Sequence, residues 1–530
     1  MLALHPLDWA VLVAYFVVII GVGVWKSRGA GSEDYYLAGR KLHWFVIGNA
    51  LFAANISSEQ FVGQAGQAFA GGLLVGNWQW IGAITLALFA VLFVPVYFRA
   101  RLHTIPEYLE RRFSPGCRTF ISVVNLAVLA FVKVALTLHA GGTIVAVLAG
   151  PEWYGRGVWI LGLTAGAYTL VGGLSAAVIT ETIQSALLIA SGAVTAVLGL
   201  HAIGGWDALV AKVGDPEAFS LIRPADHLQY PWPAFFLGGT LLSFYYWGMD
   251  MEIAQRFLGA RDARHGRLGA VYAGFLKLLA LFVIVLPGLV ARVYLDERNV
   301  AVDHMDQAYP TMLRTLLPTG VAGLALAGLA AASMSTIDSG LCAISSLFAF
   351  DVWKKVRPAS TDRQLVRVGR VAVLVGLAIG LLWAPSIRTF GGGMFLYLIN
   401  AMTYVTPGII VCFLAGVFWR GARTAGAWAS LVVGVPLGVA LFVVKVRTNA
   451  PLFGVADLYV SLGLFAVSAL AMLFGSLVLA RGAAEPRDEA LFFRASEMLA
   501  GEDTLPLWKR SGAWLAVLAA AIVALYWTFR

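Results

Sequence analysis

A helix that crosses a bilayer needs about 20 mostly apolar residues, and fourteen stretches of this chain have that character. They run near 8–26, 43–70, 73–98, 119–149, 157–172, 178–204, 234–255, 268–292, 318–352, 366–387, 393–419, 424–445, 458–480 and 511–529. The run 318–352 is long enough for its end to leave the bilayer. The run 43–70 is too polar for a plain span, with Asn55, Glu59, Gln60, Gln64 and Gln67. The first run lacks a basic start and a small-residue cleavage site, so it is expected to stay as a helix. The pattern predicts an all-α polytopic membrane protein with about 14 transmembrane helices.

Alternate loops are basic. They hold Lys26, Arg28, Arg40 and Lys41; Arg99 to Arg118; Arg256 to Arg267; Lys354 to Arg370; Arg420 and Arg423; and Arg481 to Arg510. By the positive-inside rule these loops are cytoplasmic and both termini lie outside a plasma membrane. The formal charge of +9 would otherwise suggest nucleic acid, but 26 of the 38 Lys and Arg sit in those loops. The charge is a topology signal. Composition agrees: 60% of residues are apolar and 13% charged, against about 25% charged in soluble domains. Cys117, Cys342 and Cys412 show no metal-ligand spacing. No protease, P-loop or nucleophile-elbow motif is present, so an enzyme is not expected. The outer stretches 205–233 and 293–317 are too short for a soluble domain. The stretch 481–510 is expected to form a surface helix. No long cytoplasmic output domain is visible, which argues against a membrane sensor.

Segments two to six and seven to eleven could be inverted copies, each opening on a broken helix. The expected breaks lie within Ala53–Gly72 and Ser243–Gln255. Interrupted segments at matching positions in two halves point to a transporter's binding site. Charge inside a span is expensive and usually functional. The run Phe52 to Gln60 would put polar groups on every face of an intact helix, and unwinding it would free carbonyls for a hard cation. Ser335, Asp338 and Ser339 share one helical face by their spacing. Glu181 is either a structural partner of a cytoplasmic arginine or an ion site with Asp338 and Ser339. Lys277, mid-span, has three donors for a polyhydroxy or anionic solute, and Lys133 is similar. The aromatic run Phe244 to Trp247 beside the second break suits stacking on a sugar ring or gating.

Together these residues resemble the sodium/solute symporter family, and its sugar-transporting branch most closely. Tyr35-Tyr36-Leu37-Ala38-Gly39-Arg40 is similar to the loop before the family's core. Ala53-Ala54-Asn55-Ile56-Ser57 with Glu59-Gln60-Phe61 is similar to its broken first core helix. Tyr168 to Ala176 resembles the family signature, and Met334-Ser335-Thr336 through Ser345-Ser346 to Asp351 its eighth core helix. The resemblance implies a LeuT-type fold of two inverted five-helix repeats, and inward solute transport coupled to sodium. Its units would be 1–42, an extra helix and loop; 43–204 and 205–420, the repeats; and 421–530, three further helices.

Carried over residue by residue, the resemblance implies a sodium site from the carbonyls of Ala53, Ile56 and Ala332 with the hydroxyls of Ser335 and Thr336. It implies a substrate site of Asn55, Gln60, Gln79, Lys133, Ser243, Tyr246 and Lys277, with Tyr246 as inner gate. Several positions depart from the family's galactose symporters. Gln79 replaces a glutamate, Gly82 a serine, Ser243 an asparagine and Ile399 a glutamine. Lys133 replaces an asparagine, although animal sugar members carry lysine there. One acid lost and one lysine gained make the expected pocket more positive, which favours an anionic solute such as sialic acid or another sugar acid. Glu181 stands where sialic acid members have an aspartate of a further sodium site, so Glu181, Asp338 and Ser339 form a candidate second cation site, or share a proton. The expected function is sodium-coupled import of a sugar or sugar-like solute. An anionic solute or coupling to protons is the alternative.

Overall fold

In the computed structural model, the backbone is described for residues 5–27, 32–389, 393–448, 450–480 and 488–530. Arg28, Arg481 and Arg487 of the basic loops lie outside these residues. The described chain is mostly helical, and its one β-bridge joins Leu42 to Ala260.

Among the described residues nine helices are long and apolar enough to cross a membrane. A tenth span is the pair Met394–Val405 and Pro407–Phe418, bent by 54°. The sequence expectation of fourteen exceeds this by four runs. Residues 8–26 fall in the helix Pro6–Ser27, whose apolar part is short. Residues 43–70 and 234–255 are interrupted by backbone breaks. Residues 157–172 belong to the 50-residue run Tyr154–Ile203, which turns sharply at Gly173 (φ 56°, ψ −161°). A Cβ there would come within 2.7 Å of the Tyr35 carbonyl oxygen, so only glycine fits both the conformation and the contact. Of the stretch 481–510 expected to form a surface helix, residues 481–487 lie outside the described residues, and the described part, 488–510, does not form one. Short 3₁₀ turns stand at Glu489–Leu491, Ala495–Glu497 and Leu507–Lys509, tied to the basic loops by pairs such as Arg99 with Glu497 and Arg420 with Glu489.

Six helices position the centre: α1 (Trp44–Asn55), α2 (Asn77–Leu92), α3 (Tyr154–Ile203), α4 (Met251–Leu258), α5 (Ala263–Ala280) and α6 (Val321–Ser346). α6 packs along α3, and α5 lies against α1 and α2. The hydropathic core of the span Ala263–Asp296 is 83% buried, that of Ser511–Thr528 only 17%. Both are strongly apolar, so the first is shielded by protein and the second presents its side chains to lipid.

α1 ends because Ile56 leaves helical geometry (φ −84°, ψ 99°), its N–H making the last bond to Phe52. The final carbonyls of a helix have no partner within it. Here side chains supply partners: the Ala53 oxygen accepts from Ser335 Oγ (2.9 Å), Ala54 from Thr336 Oγ1 (3.4 Å) and Asn55 from Gln60 Nε2 (2.7 Å). The second break is at Asp250 (φ −71°, ψ 122°), which follows helical turns through Met249 and caps α4 by accepting from the Glu252 N–H. Both breaks fall inside the two windows expected from the polar runs.

Candidate functional site

A cavity lies beside the first break, lined by α1, α2, α5, the run before Asp250 and the bent pair. Asn55, Gln60, Gln79, Ser243, Tyr246 and Lys277 all line it. Its polar wall is one network. Gln79 Nε2 donates to Gln60 Oε1 (2.8 Å) and to Gln64 Oε1 (2.6 Å). The Lys277 ammonium donates to the side-chain carbonyls of Asn55 and Gln79 and stands 5.5 Å from the centre of the Trp247 ring. The rest of the lining is largely apolar and aromatic, with Trp78, Tyr245, Phe395, Leu398 and Ile399 among its residues. A small amphipathic solute has both hydrogen-bonding groups and flat apolar faces to meet here. Among the lining residues Lys277 is the one lysine or arginine and none is a carboxylate.

Lys133 is placed elsewhere. It does not line this cavity; its ammonium bonds to Asp250 and to Glu252 Oε2 (2.6 Å) and lies 4.7 Å from the Tyr246 ring centre. The two carboxylates offset its charge. The departure from the family pattern that makes the cavity more positive is therefore Gln79 alone, not Lys133 as well.

At the end of α1, Ser335 and Thr336, two of the residues expected to hold sodium, meet its last carbonyls. Ser335 Oγ lies 2.9 Å from the Ala53 oxygen and 3.1 Å from that of Ala332, and Thr336 Oγ1 faces α1. These oxygens are buried. Freed carbonyls and hydroxyls are ligands suited to a small hard cation at a broken helix. One turn further along α6, Ser339 Oγ donates to Glu181 Oε1 at 2.8 Å. Asp338 turns instead to Thr169, whose hydroxyl donates to it at 2.6 Å. The Arg256 guanidinium grips Glu181 through both oxygens and bonds Ser339 Oγ at 2.5 Å. Glu181 is thus paired with Arg256, one of the arginines of a loop expected to be cytoplasmic, and keeps its contact with Ser339.

Tyr245 and Trp247, of the aromatic run expected to stack or gate, belong to the cavity wall, and so do Trp78 and Phe395, which were not singled out from the sequence. Asp250, Glu252 and Arg256 were equally missed as partners. Their signal was present: two acids and an arginine next to an expected helix break.

Residues 35–434 match the sodium:solute symporter family. The chain is 36% identical over 466 residues to the sodium/glucose cotransporter of Vibrio parahaemolyticus, covering 82% of this chain and 85% of that one. It is 32% identical over 491 residues to the sodium/myo-inositol cotransporter of Mus musculus, covering 84% and 68%. Its fold matches a substrate-bound, outward-open sodium-coupled sialic acid symporter at a TM-score of 0.79 and 20% identity, over 90% of this chain and 99% of that one. The broken helices, the match across the core and the identity to these cotransporters together establish that this chain belongs to the sodium:solute symporter family.

Proposed function

We propose that the protein imports a sugar-like polar solute through the cavity at Lys277, driven by sodium bound between α1 and α6. The observation that carries this reading is the convergence of Ser335 and Thr336 on the freed carbonyls of α1, the helix that also supplies Asn55 to the cavity wall. Sodium drawing Ala53, Ile56, Ala332, Ser335 and Thr336 together fixes the end of α1. That orders the Asn55–Gln60 face on which the solute docks, so the ion raises solute affinity, and by linkage the solute raises ion affinity. Tyr246, held over Lys133, closes the inner side of the cavity. Loss of sodium to a sodium-poor cytoplasm then loosens α1 and releases the solute. The reading places residues 43–204 and 205–420 as inverted repeats within fourteen crossings, supported by the two breaks at Ile56 and Asp250.

The test is uptake of radiolabelled glucose, galactose and myo-inositol into proteoliposomes under a sodium gradient, with a pH gradient as control. Ser335→Ala combined with Thr336→Ala should reduce sodium-driven uptake at least tenfold. Uptake that survives with unchanged sodium dependence would refute the site. A second reading, an anionic sugar derivative, is favoured by Lys277 standing in a cavity with no lining carboxylate. A carboxylate on the solute would meet the ammonium directly in a charge-assisted hydrogen bond.

A further inference from the structure

We propose that the helix Pro6–Ser27, which precedes the two repeats, is a brace for α6, and that Asp8 and Tyr15 are positioning residues that set the affinity of the sodium site proposed at Ser335 and Thr336, on which reading this rests. Of the side chains described on this helix, Asp8, Tyr15 and Ile19 are buried, while Val13, Val17 and Val18 are exposed. The i, i+7, i+11 spacing puts the buried three on one face, and the helix packs on both α6 and α3. An apolar stripe would suffice to dock a helix. This one instead buries an acid, which is costly unless the carboxylate is hydrogen-bonded.

The carboxylate meets the start of α6. The first N–H groups of a helix have no partner within it, and the residue before α6 is Gly320, which has no side chain to cap them. Asp8 Oδ1 accepts from the N–H of Gly320 and from that of Gly323, each at 2.7 Å. A Cβ at Gly323 would lie 2.6 Å from the Asp8 Cα, so the two backbones touch. A negative group here also faces the positive end of the helix dipole. Further along, the Tyr15 hydroxyl reaches Met334 Sδ at 3.8 Å and accepts from Gln184 Nε2 of α3 at 3.0 Å. Met334 immediately precedes Ser335, so the brace grips α6 at its first turn and again beside the ion site. An α-helix rises about 1.5 Å per residue. A slip of that size would carry Ser335 Oγ off the Ala53 carbonyl, which it meets at 2.9 Å. Molecules with α6 out of place bind sodium poorly, and the apparent affinity falls with the fraction that stays in place.

The experiment titrates radiolabelled sodium binding by equilibrium dialysis in purified full-length protein, with no organic solute. Asp8→Ala should raise the half-saturating sodium concentration about tenfold and leave the number of ions bound at saturation unchanged. Asp8→Asn, which keeps an acceptor oxygen, and Tyr15→Phe, which keeps the ring, should each raise it about threefold. Val13→Ala, on the exposed face, should leave it unmoved. A merely structural role would lower the melting temperature in detergent with sodium affinity unaltered, and that result overturns the proposal. So does the loss of a bound ion at saturation in Asp8→Ala. Asp8→Asn and Tyr15→Phe are read the same way where the alanine variant does not yield folded protein. Ser335→Ala with Thr336→Ala judges the sodium site itself and should lose the ion. Unchanged binding in that double variant refutes the site and the brace with it. Loss there, with parent affinity in the Asp8 and Tyr15 variants, refutes the brace alone.

Discussion

Lys277 and Gln79 set the electrostatics of the cavity. The ammonium is 2% exposed and is held by amide oxygens rather than by a carboxylate. An amide satisfies its donors but not its charge, and hydrogen bonds to a charged group contribute about 1.5–3 kcal/mol. Restoring an acid at Gln79 should therefore change which solute is preferred. In Gln79→Glu, competition by glucuronate against glucose uptake should weaken about tenfold relative to the parent, and competition by galactose should not. An unchanged glucuronate-to-galactose ratio would remove the case for an anionic solute. At this scale the sequence was informative about residue type and poor on partners. Lys277 was legible because a mid-span lysine is conspicuous. Lys133 was equally conspicuous, yet its role turned on Asp250 and Glu252, more than a hundred positions away.

The helices fix those partners, and their ends carry measurable stability. Asp351, buried at the end of the long span that begins with α6, accepts from Thr104 Oγ1, Arg118 Nε and Ser122 Oγ, each at 2.8 Å. Asp351→Ala removes the buried acceptor of Thr104, Ser122 and Arg118, leaves the guanidinium Glu110 as its remaining charged partner, and should lower unfolding stability by about 1–3 kcal/mol. Asp351→Asn keeps hydroxyl acceptors and should lose less; denaturant unfolding in detergent compares them. In the neighbouring basic loop, the His103 N–H donates to Glu107 Oε2 at 2.8 Å. Burial alone pushes the Glu107 carboxyl up, but the hydrogen bonds from His103, its charge and that of Arg118 outweigh this and hold it at about 2, below the ordinary 4.5. A carboxyl held low stabilises the fold above its ordinary value and ceases to as pH falls through its folded one. The melting gap between the parent and Glu107→Gln should therefore be full at neutral pH and close as pH drops from 4.5 to about 2. A gap that does not vary with pH would assign the effect to packing. Helix breaks were foreseen to within several residues because polar runs inside apolar spans cannot remain regular helix. Their exact places, Ile56 and Asp250, were not, because the backbone breaks where a neighbour can satisfy the freed groups.

Over the whole molecule, the alternation of basic loops and the gradient of burial from α5 outward describe a protein shielded at its centre and lipid-facing at its rim. The native cysteines Cys117, Cys342 and Cys412 are buried, so an introduced cysteine dominates labelling. Asp226→Cys, in the stretch expected outside, should react with a membrane-impermeant maleimide on intact cells. Ala359→Cys, beside Lys354 and Lys355, should react only after permeabilisation. The reverse pattern would invert the proposed topology, with both termini inside.

By itself the sequence determined the solvent, the class and the main apolar runs, because hydropathy and loop charge are local properties that bilayer thickness and topology read directly. It also determined the oxygen-rich face of α6, since i, i+3 and i+4 spacing places side chains on one stripe whatever surrounds the helix. Only the tertiary structure decided what that stripe faces. Helix rotation and depth bring Glu181 to Arg256 rather than to Asp338, turn Lys133 away from the cavity, and leave Lys277 among amides. Periodicity names a face, but a buried charge takes its partner from whichever helix packs against that face.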